Sequence, residues 1–191
     1  MKLPNTPAVR SCVAEQVTIR PATTAADLAA VRSLCWDYRD YLLSMQGVSE
    51  EVTDAFRPAS KYEALMENLP ILHARPKGII MLATDPTGTP VACGMSHPLD
   101  GQTSEIKRVF VADAARRQNV AHQLCTSLIA QANKDGFSRV VLDTHRLLHA
   151  AQRLYEKLGF SRRGPYQPMP DNVLPELVFF EKHLAPAMAP K

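Results

Sequence analysis

Cysteine is scarce in this chain. Four occur in 191 residues, far apart at Cys12, Cys35, Cys93 and Cys125, with no Cys-x-x-Cys pair among them. That argues against a disulfide framework and a cysteine zinc cluster, and fits a reducing compartment. No stretch approaches the ~20 apolar residues of a membrane span. The opening MKLPNTPAVR lacks the apolar run of a secretion signal. A cytoplasmic protein with no membrane contact is the expectation. Net charge is only +3, too small by itself to point to nucleic acid. Two phosphate motifs are missing: no Gly-x-Gly-x-x-Gly follows a strand, and no Gly-x-x-x-x-Gly-Lys-Ser/Thr occurs. Internal repeats are absent as well.

Apolar residues make up 46% of the chain and charged residues 21%, the balance of a soluble domain with a real core. The length suits one domain. Residues 1–16 hold two prolines and no clear period, which predicts a flexible arm. Val17 to Thr23 alternates like a strand and stops at Pro21. Leu28, Val31, Cys35, Tyr38 and Leu42 then recur at spacings of three and four, one face of a helix starting near Thr24 or Asp27 and ending at Gly47. Ser60 to Leu69 reads as a shorter helix, with Ser60 as N-cap and Glu63 completing a capping box. From Gly78 the pattern turns to strands. GIIMLATD, PVACGMSH and SEIKRVFV, separated by turn-rich gaps, predict an antiparallel meander. Val120, Leu124, Leu128 and Ala132 step by four along a helix that Gly136 ends. RVVLDTH is a strand apolar enough to be buried on both faces. HAAQRLYEKLGF is another helix, followed by one or two strands of which ELVFFEKHL (residues 176–184) is the last, and 185–191 is a loose tail. The reading is one α/β domain over residues 17–184, with a central, mixed, mostly antiparallel sheet and helices on both faces.

The joint between the third meander strand and the next helix reads ARRQNVA. A helix N-terminus carries unsatisfied N–H groups and about half a positive charge, and phosphates bind there. No Ser, Thr or Asp cap precedes Val120, so those groups stay open to a ligand's oxygens. Arg116 and Arg117 add further donors. The plain alternative is a solvated turn with two surface arginines.

Two blocks carry a family resemblance. The first is Arg116-Arg117-Gln118-Asn119-Val120-Ala121 at the helix start. The second, about thirty-five residues on, is Ala151-Gln152-Arg153-Leu154-Tyr155-Glu156-Lys157-Leu158-Gly159-Phe160. Together, in this order of elements, they resemble the GNAT superfamily of acyl-CoA-dependent N-acyltransferases, over roughly residues 17–184. The resemblance implies acetyl-CoA as donor, a primary amine on a small molecule or protein as acceptor, no metal, and often a homodimer. It assigns Arg116, Arg117, Gln118, Asn119, Val120 and Ala121 to the diphosphate. It assigns the main chain near Phe110 and Val111 to the thioester oxygen and pantetheine arm, where the strand splays from RVVLDTH. Leu148 stands where relatives often have an asparagine touching that arm. Asn119 stands where a glycine is usual, and asparagine tolerates the left-handed backbone better than most residues.

The reaction sets its own demands. An alkylamine with pKa near ~10.4 costs about 4 to 5 kcal/mol to deprotonate at pH 7. A general base, often through water, must take that proton, and the leaving thiolate benefits from an acid. The resemblance implies Glu105 as base and Tyr155 as acid. The plain alternatives are a surface glutamate paired with Lys107 and a core tyrosine; a tyrosine can be both core and acid. Lys107 and Arg108 read as surface or structural charges. His97 lies near a strand end as a second candidate base. Asp37, Tyr38 and Asp40 are candidates for an acceptor wall, and Trp36 for core. His145, His149 and Asp143 have no obvious third metal ligand; His122 and Cys125 read as structure. Two other functions remain open: a regulatory module that binds acyl-CoA without turnover, suggested by Asn119 and Leu148, and a nucleic-acid binder using Arg116, Arg117, Arg162 and Arg163. The latter lacks a stacking platform.

Overall fold

A computed structural model describes residues 17–45 and 59–185. The elements run β1 (Thr18–Pro21), α1 (Ala25–Ser44), α2 (Ala59–Leu72), β2 (Ile79–Thr84), β3 (Pro90–Pro98), β4 (Thr103–Val111), α3 (Val120–Lys134), β5 (Arg139–His145), α4 (His149–Lys157), β6 (Ser161–Arg163) and β7 (Leu177–His183). They form one α/β domain around a seven-stranded sheet in the order β1-β2-β3-β4-β5-β7-β6. Only β4 and β5 run parallel; every other neighbouring pair is antiparallel. The expected mixed, mostly antiparallel sheet is therefore present.

Local chemistry explains the boundaries. Thr24 caps α1 in a reciprocal capping box with Asp27. The Asp27 carboxylate also receives both ends of the Arg20 guanidinium at 2.6 and 2.8 Å, tying β1 to the helix start. Asp85 closes the β2–β3 hairpin by accepting from the Thr87 and Thr89 amides. Gly136 follows α3 with φ +87°, the left-handed position that ends a helix without a Cβ clash. Four boundaries differ from the sequence reading. Ser60 lies inside α2 rather than capping it. α1 ends at Ser44, and Gly47 lies outside the described residues, as do the arm and residues 186–191. A short β6 pairs with the last strand, which spans Leu177–His183.

Helices cover both faces. On one, Val31, Leu34 and Cys35 of α1 and Tyr62, Met66 and Leu69 of α2 pack on Leu82, Cys93, Met95 and Phe110. On the other, Val120, Leu124 and Leu128 of α3 and Tyr155 of α4 pack on Ile106, Val140, Leu142 and Phe180. Gly94 lets α3 approach the sheet. A Cβ there would lie 3.1 Å from a Leu128 methyl and 3.3 Å from one of Leu124.

Two irregularities create the site. First, β4 and β5 pair at only three positions, ending at Glu105–Val141, although β4 continues to Val111 and β5 to His145. The sheet opens between them. Second, β4 carries a bulge. Its partner β3 advances two residues, Cys93 to Met95, while β4 retreats three, Phe110 to Lys107. Arg108 absorbs the extra residue with φ +52°.

Candidate active site

After β4 the chain makes a single 3-10 turn and reaches α3 through Arg116–Asn119. Arg117 and Asn119 both adopt left-handed backbone, φ +65° and +63°. Alternating handedness of this kind turns successive N–H groups into one anion-binding concavity. No side chain caps α3, and its first turn holds no acidic residue. Arg116 is braced by Asp113 at 2.7 Å, by a bond from its Nε to the Val111 carbonyl at 3.2 Å, and by stacking 4.6 Å over Tyr41. The Gln118 side chain turns away and donates to the Ala114 carbonyl at 3.0 Å.

This joint forms one end of a cleft of about 630 Å³. Of the sequence candidates, Phe110, Val111, Arg116, Arg117, Asn119, Val120, Ala121, Leu148 and Tyr155 line it; Gln118 does not. Tyr38 and Tyr41 of α1 form another wall. The cleft runs along β4 where β5 has left it, so main-chain groups there can pair with a ligand as an added strand. Leu148 precedes α4 and, like Asn119, gives its helix no side-chain cap. Tyr155 is only 6% exposed. Its ring packs against Phe160 and Phe180 at 5.9 and 5.6 Å. Its hydroxyl makes no hydrogen bond among the described residues. Burial raises its pKa well above the usual tyrosine range, so it keeps its proton.

Across the opening lies a second cavity of about 380 Å³, lined among others by His73, His97, Glu105, Lys107, Arg108 and Asp143. Glu105 is not a surface residue: it is 2% exposed and belongs to a charged cluster. Its carboxylate meets His97 Nε2 at 3.1 Å, Lys107 Nζ at 2.6 Å and the Tyr166 hydroxyl at 2.6 Å, and accepts from Gln167 Nε2 at 3.3 Å. Burial pushes this carboxyl up, but His97, Lys107 and Tyr166 outweigh it and bring its pKa down to about 2. Lys107 also pairs with Asp143 at 2.5 Å, and the Tyr166 hydroxyl stands 2.9 Å from the same oxygen. Burial lowers the His73 pKa to about 4, and its Nδ1 bonds to the Ser96 carbonyl at 3.0 Å.

Sequence reasoning missed several members of this cluster. Lys107 and Arg108 were expected as surface or structural charges, but the β4 bulge turns both toward the cavity. Asp143, Tyr166 and Gln167 reach it from β5 and from the loop after β6, contacts 23 to 62 residues apart in sequence; no local pattern marks them. Of the proposed acceptor-wall residues, Tyr38 lines the cleft, while Asp37 and Asp40 are exposed. Trp36 packs edge-on against Tyr62 at 4.8 Å. His145 is buried beside Glu176 at 3.3 Å and accepts from the Leu147 amide. No group of three His, Cys, Asp or Glu suited to a metal gathers among the described residues. His122 lines the cleft, and Cys125 lies in the core, where burial pushes its thiol up to about 12. Arg162 and Arg163 pair with Glu156 and Glu181 at 3.1 and 2.7 Å.

Residues 38–160 match the model of the GNAT acetyltransferase family. The chain belongs to that family. An uncharacterised N-acetyltransferase from Schizosaccharomyces pombe is 31% identical over 75% of this chain and 78% of its own length. An IAA acetyltransferase from Azospirillum brasilense is 35% identical over 51% of this chain and 63% of its own. Among solved structures, a GNAT acetyltransferase from Staphylococcus aureus superposes with a TM-score of 0.69 at 16% identity, covering 89% of this chain and all of that one. A Salmonella typhimurium acetyltransferase solved with acetyl-CoA gives 0.64 at 20% identity, over 92% of this chain and 98% of that one. The GNAT fold and an acyltransferase activity follow. No helix among the described residues is long and apolar enough to cross a membrane.

Proposed function

We propose that this GNAT chain moves an acetyl group from acetyl-CoA to a primary amine by direct attack, in the cytoplasm. One observation carries the proposal: the uncapped start of α3, shaped by left-handed Arg117 and Asn119, opens on a cleft that follows the split between β4 and β5. Bound acetyl-CoA supplies an activated thioester. The α3 amides with Arg116 and Arg117 hold the diphosphate, and the β4 main chain near Phe110 and Val111 pairs with the arm and donates toward the thioester oxygen. The regulatory alternative loses ground here. Arg117 and Asn119 hold the left-handed backbone that glycine adopts most easily, so the conformation survives the substitution.

The two ends of the proton path have opposite character. Glu105, held ionised by its partners, takes the ammonium proton through water. With a pKa of about 2 it cannot keep that proton. His97 Nε2, 3.1 Å away, stands where it can pass that proton on. Tyr155, held protonated by burial, gives its proton to the leaving thiolate.

The test is thiol release from acetyl-CoA across a panel of amines. Release that rises with amine concentration supports transfer. Tight acetyl-CoA binding with no amine raising release above buffer rejects it.

A further inference from the structure

Taking acetyl transfer as the reaction, we propose that the acceptor is a small α-amino acid with an apolar side chain, held by its carboxylate on Arg108. Arg108 sits at the β4 bulge with φ +52°. A non-glycine residue there costs on the order of 1 kcal/mol. The bulge breaks strand alternation, so Lys107 and Arg108, adjacent in sequence, both line the 380 Å³ cavity. They also line a smaller one of about 90 Å³, which shares Tyr38 with the thioester cleft. Arg108 therefore stands between the acceptor cavity and the cleft.

The other charges of the cavity are committed to one another. Glu105 holds His97, Lys107, Tyr166 and Gln167. Asp143 holds Lys107 and the Tyr166 hydroxyl. The Arg108 guanidinium is the exception. Its Nε is buried without a partner, and the group makes no hydrogen bond or ion pair among the described residues. A half-buried guanidinium offers five donors and no acceptor, and leaving such a charge uncompensated is costly. The charge balance agrees. Glu105 and Asp143 cancel Lys107 and Arg108, so the cavity has no excess negative charge to draw a bare ammonium. A zwitterion suits it: carboxylate on Arg108, and the amine one carbon away, toward Glu105. The remaining wall is Leu65, Leu72, Met169, Pro170, Val173 and Leu177, which suits an apolar side chain.

Matched acceptors test this. Leucine, methionine, phenylalanine and tryptophan are each compared with their amide and with the decarboxylated amine. At least one amino acid should exceed both of its partners roughly 10²-fold in kcat/KM, because both partners leave Arg108 unpaired. Arg108→Gln should abolish that preference mainly through KM, and Arg108→Lys should restore part of it. Calorimetry on the CoA-bound protein reads the same preference without turnover. Equal use of an amine and its amino acid by the unmodified protein overturns the proposal, as does a preference that survives R108Q. If amino acids bind through Arg108 but no thiol is ever released, acetyl transfer falls and the carboxylate site stands. If bare amines are acetylated just as well, transfer stands and the carboxylate site falls.

Discussion

Tyr155 and Glu105 sit in buried surroundings that push their protons in opposite directions, and each leaves a measurable trace. Tyr155→Phe keeps the ring packing on Phe160 and Phe180 and removes only the hydroxyl. We expect kcat to fall about 10²-fold or more while acetyl-CoA affinity, read by calorimetry, stays nearly the same; an unchanged kcat removes Tyr155 from the chemistry. Glu105 is lowered from 4.5 to about 2 in the folded chain. Above pH 4.5 both states are ionised and the stabilisation is complete. Between 4.5 and 2 the unfolded chain binds the proton and the folded one does not, so stability is lost as the pH falls. The melting temperature of the unmodified protein should therefore drop more steeply across that window than that of Glu105→Gln. Parallel curves would mean that Glu105 lacks the ion pairs described.

At the scale of elements, the start of α3 is the proposed hold on the diphosphate. Replacing Arg116 and Arg117 together with glutamine should weaken acetyl-CoA binding and flatten its dependence on salt, measured between low and physiological ionic strength. Equal affinity in that double variant leaves the phosphate role without support. Asn119 tests the backbone separately. Asn119→Gly should leave stability about level, whereas Asn119→Ala keeps the Cβ but loses the short polar side chain that makes left-handed backbone tolerable, and should cost up to about 1 kcal/mol by denaturant unfolding. This joint was legible in the sequence because strand, turn and helix follow one another within sixteen residues. The charged cavity was not. Glu105, Lys107 and Asp143 meet because β5 runs beside β4 after a crossover through α3. Arg108 faces inward because of a bulge that a period of two cannot reveal. The positions of Tyr166 and Gln167 depend on a loop with neither helix nor strand period. The order of elements, the meander and both helix faces were readable, since each rests on local spacing. The short β6, one of the one or two strands expected after the last helix, could not be placed, because three residues carry too little pattern.

For the molecule as a whole, ligand binding should appear as stability. Acetyl-CoA at about 100 times its dissociation constant adds roughly 2.7 kcal/mol. In a domain of this size that shifts the melting temperature by roughly 5–10 °C, and thermal scans with and without the ligand check it. The parting of β4 and β5 adds a further consequence. The strand ladder that joins β1–β4 to β5–β7 has just three residue pairs at β4 and β5. On the proposed reading, the cosubstrate arm would act as a missing rib, inserted at the start of each cycle and withdrawn with the spent thiol. The seam should stiffen and slacken once per turnover, and amide exchange at Val109 and Val111 should slow when the arm is seated.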